Sequence, residues 1–145
     1  MVKIINAPTK YVQGVDEIKN LATYYKLKGN KGAYIIVDKY IYDNFKCKIS
    51  ESFEKEGISY HLEIFNGECS QVEIDRNINI LKEKNYDVVF GIGGGKTLDA
   101  AKAVSYYENV PIIIVPTIAS TDAPCSALSI IYTPEGEFEK YLFLK

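Results

Sequence analysis

Residues 90–102 read FGIGGGKTLDAAK, and the glycines stand where the strand-like run Asp87-Val88-Val89-Phe90 gives way to a helical pattern. That transition predicts a strand-to-helix turn. Amides of a helix's first turn have no partner within the helix, and the dipole adds partial positive charge, so such a turn suits an anion. Two familiar phosphate motifs fail on spacing. A P-loop needs glycine at position 90, where this chain has Phe90; a G-x-G-x-x-G fingerprint is met by Gly91 and Gly93, but its third glycine falls on Lys96. What remains is a run, Gly93, Gly94 and Gly95, that opens a helix, with Lys96 able to set a point charge beside a pyrophosphate. The competing reading is that the glycines only permit tight packing of strand on helix.

Outward from this turn, the chain alternates short β-rich runs with longer helical ones, the pattern of a parallel sheet covered by crossover helices. Val15, Ile18, Leu21, Ala22 and Tyr25 fall on one helical face, ended by Lys28-Gly29-Asn30. A strand over Ala33 to Asp38 follows, then a charged amphipathic segment from about Tyr40 to Lys55 and a strand from Ser59 to Phe65. Ser70 is placed to cap the next helix, with Glu73 reaching back to the Ser70 amide, and Ile74, Ile78 and Leu81 continue its apolar face. The strand Tyr86 to Ile92 feeds the glycine turn and a helix through about Tyr107. Pro111 to Val115 is almost continuously apolar, as expected of a strand buried on both faces. Finally, LSIIYTPEGEFEKYLFLK reads as two strands joined at Thr133-Pro134-Glu135-Gly136. The fold class expected is α/β, a Rossmann-like parallel sheet with a C-terminal β-hairpin, forming one domain over residues 1–145.

Composition narrows the function classes. With 47% hydrophobic and 25% charged residues, the 145-residue chain is an ordinary globule able to bury about 68% of its unfolded surface. Its 17 basic and 19 acidic residues leave a net charge of −2, which gathers neither nucleic acid nor an anionic membrane. The opening MVKIINAPTKYVQG lacks a signal-peptide core, and no apolar run approaches the roughly 20 residues that cross a bilayer, so a cytoplasmic location is expected. Cys47, Cys69 and Cys125 are widely spaced and odd in number, which argues against disulfides and structural zinc; each is expected to be a small buried apolar side chain. His61 is the single histidine, whereas a catalytic zinc site commonly takes two or three. It is read as structural.

Three further features could carry chemistry. Asp38 ends a strand, where a carboxylate can accept hydrogen bonds from an adenosine ribose; yet it precedes the glycine turn instead of following it, and a solvated loop aspartate is the plainer reading. The polar run TIASTDAPCSA, Thr117 to Ala127, follows a strand, so its hydroxyls and Asp122 would lie beside anything held at Gly93 to Gly95. A loop whose Ser and Thr satisfy its own backbone is the alternative. Asp99 and Glu108 are expected on solvated helix surfaces, Asp99 favouring its helix's first turn.

GIGGGKTLDAAKA followed by PTIASTDAPCSALSIIYTPEGEFEKY, with KYVQG and FNGECS earlier, resembles the N-terminal half of the glycerol dehydrogenases, within the metal-dependent alcohol dehydrogenase family that includes the iron-containing enzymes. The resemblance runs from about Ile4 to the last residue. It implies an NAD-binding α/β domain whose companion, a C-terminal helical domain, lies outside these residues. It further implies that Asp38 binds the adenosine ribose, that Gly94, Gly95, Lys96, Thr97 and Leu98 surround the pyrophosphate, and that Thr117, Ile118, Ala119 and Ser120 line the cofactor groove. Ser126, Leu128 and Tyr132 would lie toward the nicotinamide, and Asp122 would contact a glycerol-like vicinal diol. The zinc of the complete enzyme, held by one aspartate and two histidines, would belong to the helical domain. The chain alone is then expected to be inactive; the alternatives are a subunit that rebuilds an enzyme with a separately encoded helical half, a homo-oligomer, or a stand-alone nucleotide-binding module.

Overall fold

The computed structural model describes residues 10–144. Most of the opening segment, in which no signal-peptide core was found, lies outside them.

Four parallel strands form the main sheet: β1 (Ala33–Val37), β2 (Tyr60–Ile64), β3 (Val88–Gly93) and β4 (Ile112–Pro116). Their spatial order is β2-β1-β3-β4. Chain progression runs one way from β1 to β2 and the other way from β3 to β4. The order therefore reverses between β1 and β3, and the two strands pair there from Ala33 with Val88 through Val37 with Ile92. Crossovers are made by α2 (Lys39–Lys55), α3 (Gln71–Lys84) and α4 (Gly95–Glu108), preceded by a 3-10 turn (Glu17–Asn20) and the short α1 (Leu21–Tyr25).

Strand alternation divides the core in two. Ala33, Ile35 and Val37 face the same way as Val88, Phe90 and Ile92, and pack with Tyr25, Ile49 and Phe53 of α1 and α2. Tyr34, Ile36 and Val89 face the other layer, where Ile74 and Leu81 of α3 meet Ala100, Ala101, Ala103 and Val104 of α4. Burial on both faces is what makes β1 and β3 read as unbroken apolar runs. Close packing of β3 on α4 requires Gly91, where an added Cβ would come 2.7 Å from Ala101 Cβ. The tight-packing reading therefore holds for Gly91.

The hairpin of β5 (Leu128–Tyr132) and β6 (Phe138–Phe143) forms a second, antiparallel sheet. It is fastened to the main body through β5: Ile131 is fully buried, and the Tyr132 amide donates to Cys69 O at 2.8 Å.

Several expectations are corrected. Val15 is 95% exposed and precedes the 3-10 turn, so it is no part of the first helical face. β4 is the sheet's edge and is only partly buried, because an apolar run cannot by itself distinguish a central strand from an edge. Ser70 Oγ does cap α3, accepting from the Glu73 amide at 3.3 Å, but Glu73 does not reach back. Its carboxylate instead accepts from the Asn66 amide and from Arg76. Cys47 and Cys125 are exposed, and only Cys69 is buried, where burial pushes its thiol up to about 12. Asp99 is buried rather than solvated, beside a still more deeply buried Lys102. Glu108 is half-buried and pairs with Lys82 at 3.1 Å.

His61 is structural, as expected. Its ring stacks on Tyr34 with centroids 5.7 Å apart, and its Nε2 lies 2.8 Å from Glu63 Oε2.

Candidate functional site at the carboxyl ends of the parallel strands

In open α/β sheets the ligand crevice lies outside the carboxyl ends of the strands, at the point where strand order reverses. Here that point is between β1 and β3, and two of the residues singled out from the sequence meet there. Asp38 follows β1 directly and caps α2: its Oδ1 accepts from the Ile41 amide at 2.8 Å. Its other oxygen faces Gly93 so closely that a Cβ on Gly93 would sit 2.8 Å from Asp38 Oδ2 and 2.9 Å from Thr97 Oγ1. Gly93 is thus needed to let the ends of β1 and β3 come together.

Gly94 is the N-cap of α4 and has no side chain to satisfy the helix's first amides. The first intrahelical bond within this turn is taken by Leu98, whose amide donates to Gly94 O at 3.0 Å. The amides of Gly95, Lys96 and Thr97 consequently have no helical partner and form the donor set of the turn. Above Gly94 there is room: an added Cβ would meet only Ile118 Cγ2, at 3.6 Å. Thr97 and Leu98 are buried beneath the turn, so Leu98 supports it by packing and offers it no free amide.

Lys96 is exposed, and its ammonium is engaged away from those amides. Nζ lies 2.5 Å from Glu68 Oε2 and 5.0 Å from the centre of the Tyr132 ring. Tyr132 is therefore placed with Lys96.

The loop after β4 supplies a second wall. The Thr117 amide donates to Gly93 O at 3.1 Å, tying the loop to the end of β3. A Cβ on Gly95 would come within 3.0 Å of Thr121 Oγ1. Pro116, Thr117, Ile118, Ala119, Thr121 and Pro124 line an open groove of about 350 Å³. Thr117 through Ser120 are exposed along this wall and Asp122 is exposed further on. Ser126 and Leu128 face a different neighbour. Ser126 Oγ lies 3.2 Å from Lys102 Nζ, and Leu128 O also accepts from that ammonium.

A larger groove, about 610 Å³, opens at the end of β2 between Lys39, Ile64, Phe65, Asn66, Gly67 and Arg76. Both of its cations are engaged, Lys39 with Asp43 at 2.8 Å. Arg76 donates to Glu73 at 2.8 Å, to Ile64 O at 3.1 Å and to Glu63, and these partners hold the guanidinium pKa above its ordinary value, Glu73 first. The free donors of the crevice are thus those of the glycine turn. Among the described residues no group of three His, Cys, Asp or Glu side chains could hold a metal ion. No described helix is long and apolar enough to cross a membrane.

Lys102 and the buried role of Asp99 were missed from the sequence. The available signal was a lysine inside the all-small run Ala100-Ala101-Lys102-Ala103, three residues after an acid.

Strand order, crossover helices and a crevice floored by a helix N-terminus define a doubly wound α/β domain with unpartnered helix amides at its switch point. The chain belongs to the iron-containing alcohol dehydrogenase family, which it matches over residues 8–145. It is 46% identical over 144 residues to a glycerol dehydrogenase of Pseudomonas putida, covering 99% of this chain and 39% of that protein. It is 49% identical over 142 residues to the glycerol dehydrogenase of Citrobacter freundii, again covering 39% of it. The crystal structure of a probable glycerol dehydrogenase from Sinorhizobium meliloti 1021 superposes with a TM-score of 0.88 at 38% identity, over 99% of this chain and 38% of that one. The sequence thus spans about two fifths of the length of the curated relatives it matches, 39% in the two named.

Proposed function

We propose that this chain is the NAD-binding part of a glycerol dehydrogenase, and that the carboxyl-end crevice holds the dinucleotide. The observation that carries the reading is the convergence of three elements on one edge: the Asp38 carboxylate, the open glycine turn and the Thr117–Thr121 wall. An extended dinucleotide fits their chemistry. Its pyrophosphate would take the amides of Gly95, Lys96 and Thr97, with Gly94 leaving room above and Leu98 packing below. Lys96 would exchange Glu68 for a phosphate oxygen. Asp38 would accept from the adenosine ribose hydroxyls while still capping α2, and its charge would disfavour a 2′-phosphate. The adenine side would extend toward the groove at Lys39, Phe65 and Asn66. In the other direction Thr117, Ile118, Ala119 and Ser120 would line the path toward the nicotinamide, which would lie on the side of Ser126, Leu128 and Tyr132.

When bound, NAD supplies the hydride acceptor for oxidation of an alcohol such as glycerol to the corresponding ketone. Asp122, exposed beyond the Thr117–Thr121 wall, would meet the hydroxyls of a vicinal diol. Zinc, expected in the complete enzyme, would be held by residues other than those described here. By itself the chain is expected to bind NAD weakly and to transfer no hydride. A second reading, assembly with a separately supplied helical half, is favoured by the exposed aromatic ladder Phe138, Tyr141 and Phe143 on β6.

Titration calorimetry of the 145-residue chain with NAD, alongside Lys96→Ala and Asp38→Asn, tests the first reading. Saturable binding weakened by both substitutions is expected; a folded chain that takes up no NAD even at millimolar concentration would overturn it. For the second reading, restored glycerol oxidation on mixing with the helical half is the expected result, and a chain that stays monomeric in the mixture counts against it.

A further inference from the structure

The loop that forms the second wall is fastened from below by a buried cation. Lys102 is 4% exposed, in the buried stretch of α4 between Ala101 and Ala103 and one turn after Asp99. Its Nζ donates to Ala123 O at 2.9 Å, to Ser126 O at 3.2 Å and to Leu128 O. Ser126 Oγ lies at 3.2 Å and Asp99 Oδ1 at 2.9 Å. Five oxygens therefore surround one ammonium. Three of them are backbone carbonyls, the groups that replace an ion's hydration shell where a cation is held inside protein. An ammonium has only three protons. Those are taken by the loop, and Asp99 Oδ1, buried and without a directed hydrogen bond, acts as the counter-charge. A buried charge is tolerable only when paired and hydrogen-bonded in this way.

The cage reaches the site. Cys125 and Ser126 both donate their amides to Asp122 O, at 2.9 and 3.0 Å, so the turn that carries Asp122 is closed by Ser126, which the ammonium holds, and by its neighbour Cys125. Asp99 extends the clamp into β5: its Oδ2 accepts from the Ile130 amide at 3.1 Å and its backbone oxygen from Ser129 Oγ at 2.9 Å. The same helix, α4, presents the anion-binding amides at its N-terminus.

We infer that Lys102 is a positioning residue of the site: a built-in monovalent cation, held in a five-oxygen cage, that shapes the Thr121–Leu128 loop and sets Asp122 and Thr121 against the glycine turn. The inference rests on the nucleotide-binding reading for its functional part and on the cage alone for its structural part. A positioned cation, unlike mere bulk, can be replaced by a free one.

Lys102→Ala removes the three outer methylenes and the ammonium, which together correspond to n-propylammonium. In the 145-residue chain, amide hydrogen exchange at Cys125 and Ser126 is expected to accelerate about tenfold or more in this variant. Adding n-propylammonium should slow it again, while 1-propanol and tetramethylammonium at equal concentration should not. NAD affinity should fall and recover in parallel. Lys102→Met, which keeps the unbranched stem out to the ε position without the charge, should exchange fast and gain nothing from the amine; it also answers the question if the alanine variant does not fold. Wild-type protection in Lys102→Met, or recovery with 1-propanol, would overturn the cage. Loss of loop protection with unchanged NAD affinity would overturn the positioning role. Protection that follows the cation while the wild-type chain binds no NAD would support the cage and overturn only the nucleotide-binding reading.

Discussion

Gly94→Ala separates the roles of the glycines, because the structure gives this position room for a methyl group but no reason to need its absence. Its backbone, φ −87° and ψ −176°, is open to any L-residue. The new Cβ would meet only Ile118 Cγ2, at an ordinary 3.6 Å. As an N-cap, alanine is poorer than glycine by about 0.5 kcal/mol. A less flexible unfolded chain returns about 0.4–1 kcal/mol. The two offset, so stability should stay within about 0.5 kcal/mol and the melting temperature within about 2 °C. An anion sees something different. The methyl stands where a phosphate must approach the amides of Gly95, Lys96 and Thr97, and losing one hydrogen bond to a charged group costs about 1.5–3 kcal/mol, or roughly 10- to 100-fold in Kd. Neighbouring Gly93 behaves oppositely. There a Cβ would lie 2.8 Å from Asp38 Oδ2 and 2.9 Å from Thr97 Cβ, so Gly93→Ala should destabilise the unliganded chain by about 1–3 kcal/mol. Thermal melts and NAD calorimetry on the two variants give the comparison. A Gly94→Ala chain that melts normally and binds NAD as tightly as wild type would refute the phosphate cradle.

Asp38→Asn keeps an acceptor for the Ile41 amide, so the cap on α2 and the stability should survive within about 0.5 kcal/mol. The ratio of NAD to NADP affinity, measured side by side, should nevertheless fall, since the charge facing the ribose is gone; an unchanged ratio would remove Asp38 from the ribose site. Glu68→Gln releases Lys96 from an ion pair whose side chains are 50% and 18% exposed. Pairs of that exposure contribute about 0.2–1 kcal/mol, so NAD should bind up to about fivefold tighter by calorimetry, and weaker binding would contradict the exchange of partners. Asp87 accepts from the amides of Asn30, Lys31 and Gly32 at 2.8, 3.1 and 3.3 Å. Burial acts to raise its pKa, but the amide donors outweigh burial and hold the carboxyl below its ordinary value. A carboxyl lowered in the folded state stabilises the chain above its unfolded pKa, and that contribution is lost as pH falls through the folded value. Asp87→Asn should therefore be less stable at pH 7, by about 1–2 kcal/mol after allowance for solvent screening, and in melts run at falling pH the gap should start to shrink below about pH 4 and close as pH passes the lowered folded value.

Much of the architecture was legible because each strand and helix carries its own period. The alternation of short apolar runs with helical segments located β1, α2, β2, α3, β3, α4 and the hairpin to within a few residues, and the glycine run announced the turn between β3 and α4. The conformation of such a segment depends on neighbours a few positions away, which periodicity records. Asp38 was visible as a strand-end acid, but its distance from the turn along the chain gave no sign that the two meet. They do so because β1 and β3 are adjacent in the sheet.

What only the tertiary structure decided concerns partners across the chain. That β4 lies at the edge, that Lys96 rests on Glu68 and Tyr132, and that Asp99 and Lys102 are buried all depend on which element lies alongside. Lys102 is the clearest case. In the sequence it is a lysine in a helix, and such a residue is ordinarily solvated. Its acceptors lie 21 to 26 residues further along, and only when β5 and its preceding loop fold back over α4 do their carbonyls close around the ammonium. By itself, then, the sequence determined the order of elements and the place of the glycine turn between β3 and α4, since both follow from local periodicity and glycine chemistry. Burial and charge pairing were left to the tertiary structure, because a side chain's dielectric surroundings belong to the assembled fold and not to its neighbours in sequence.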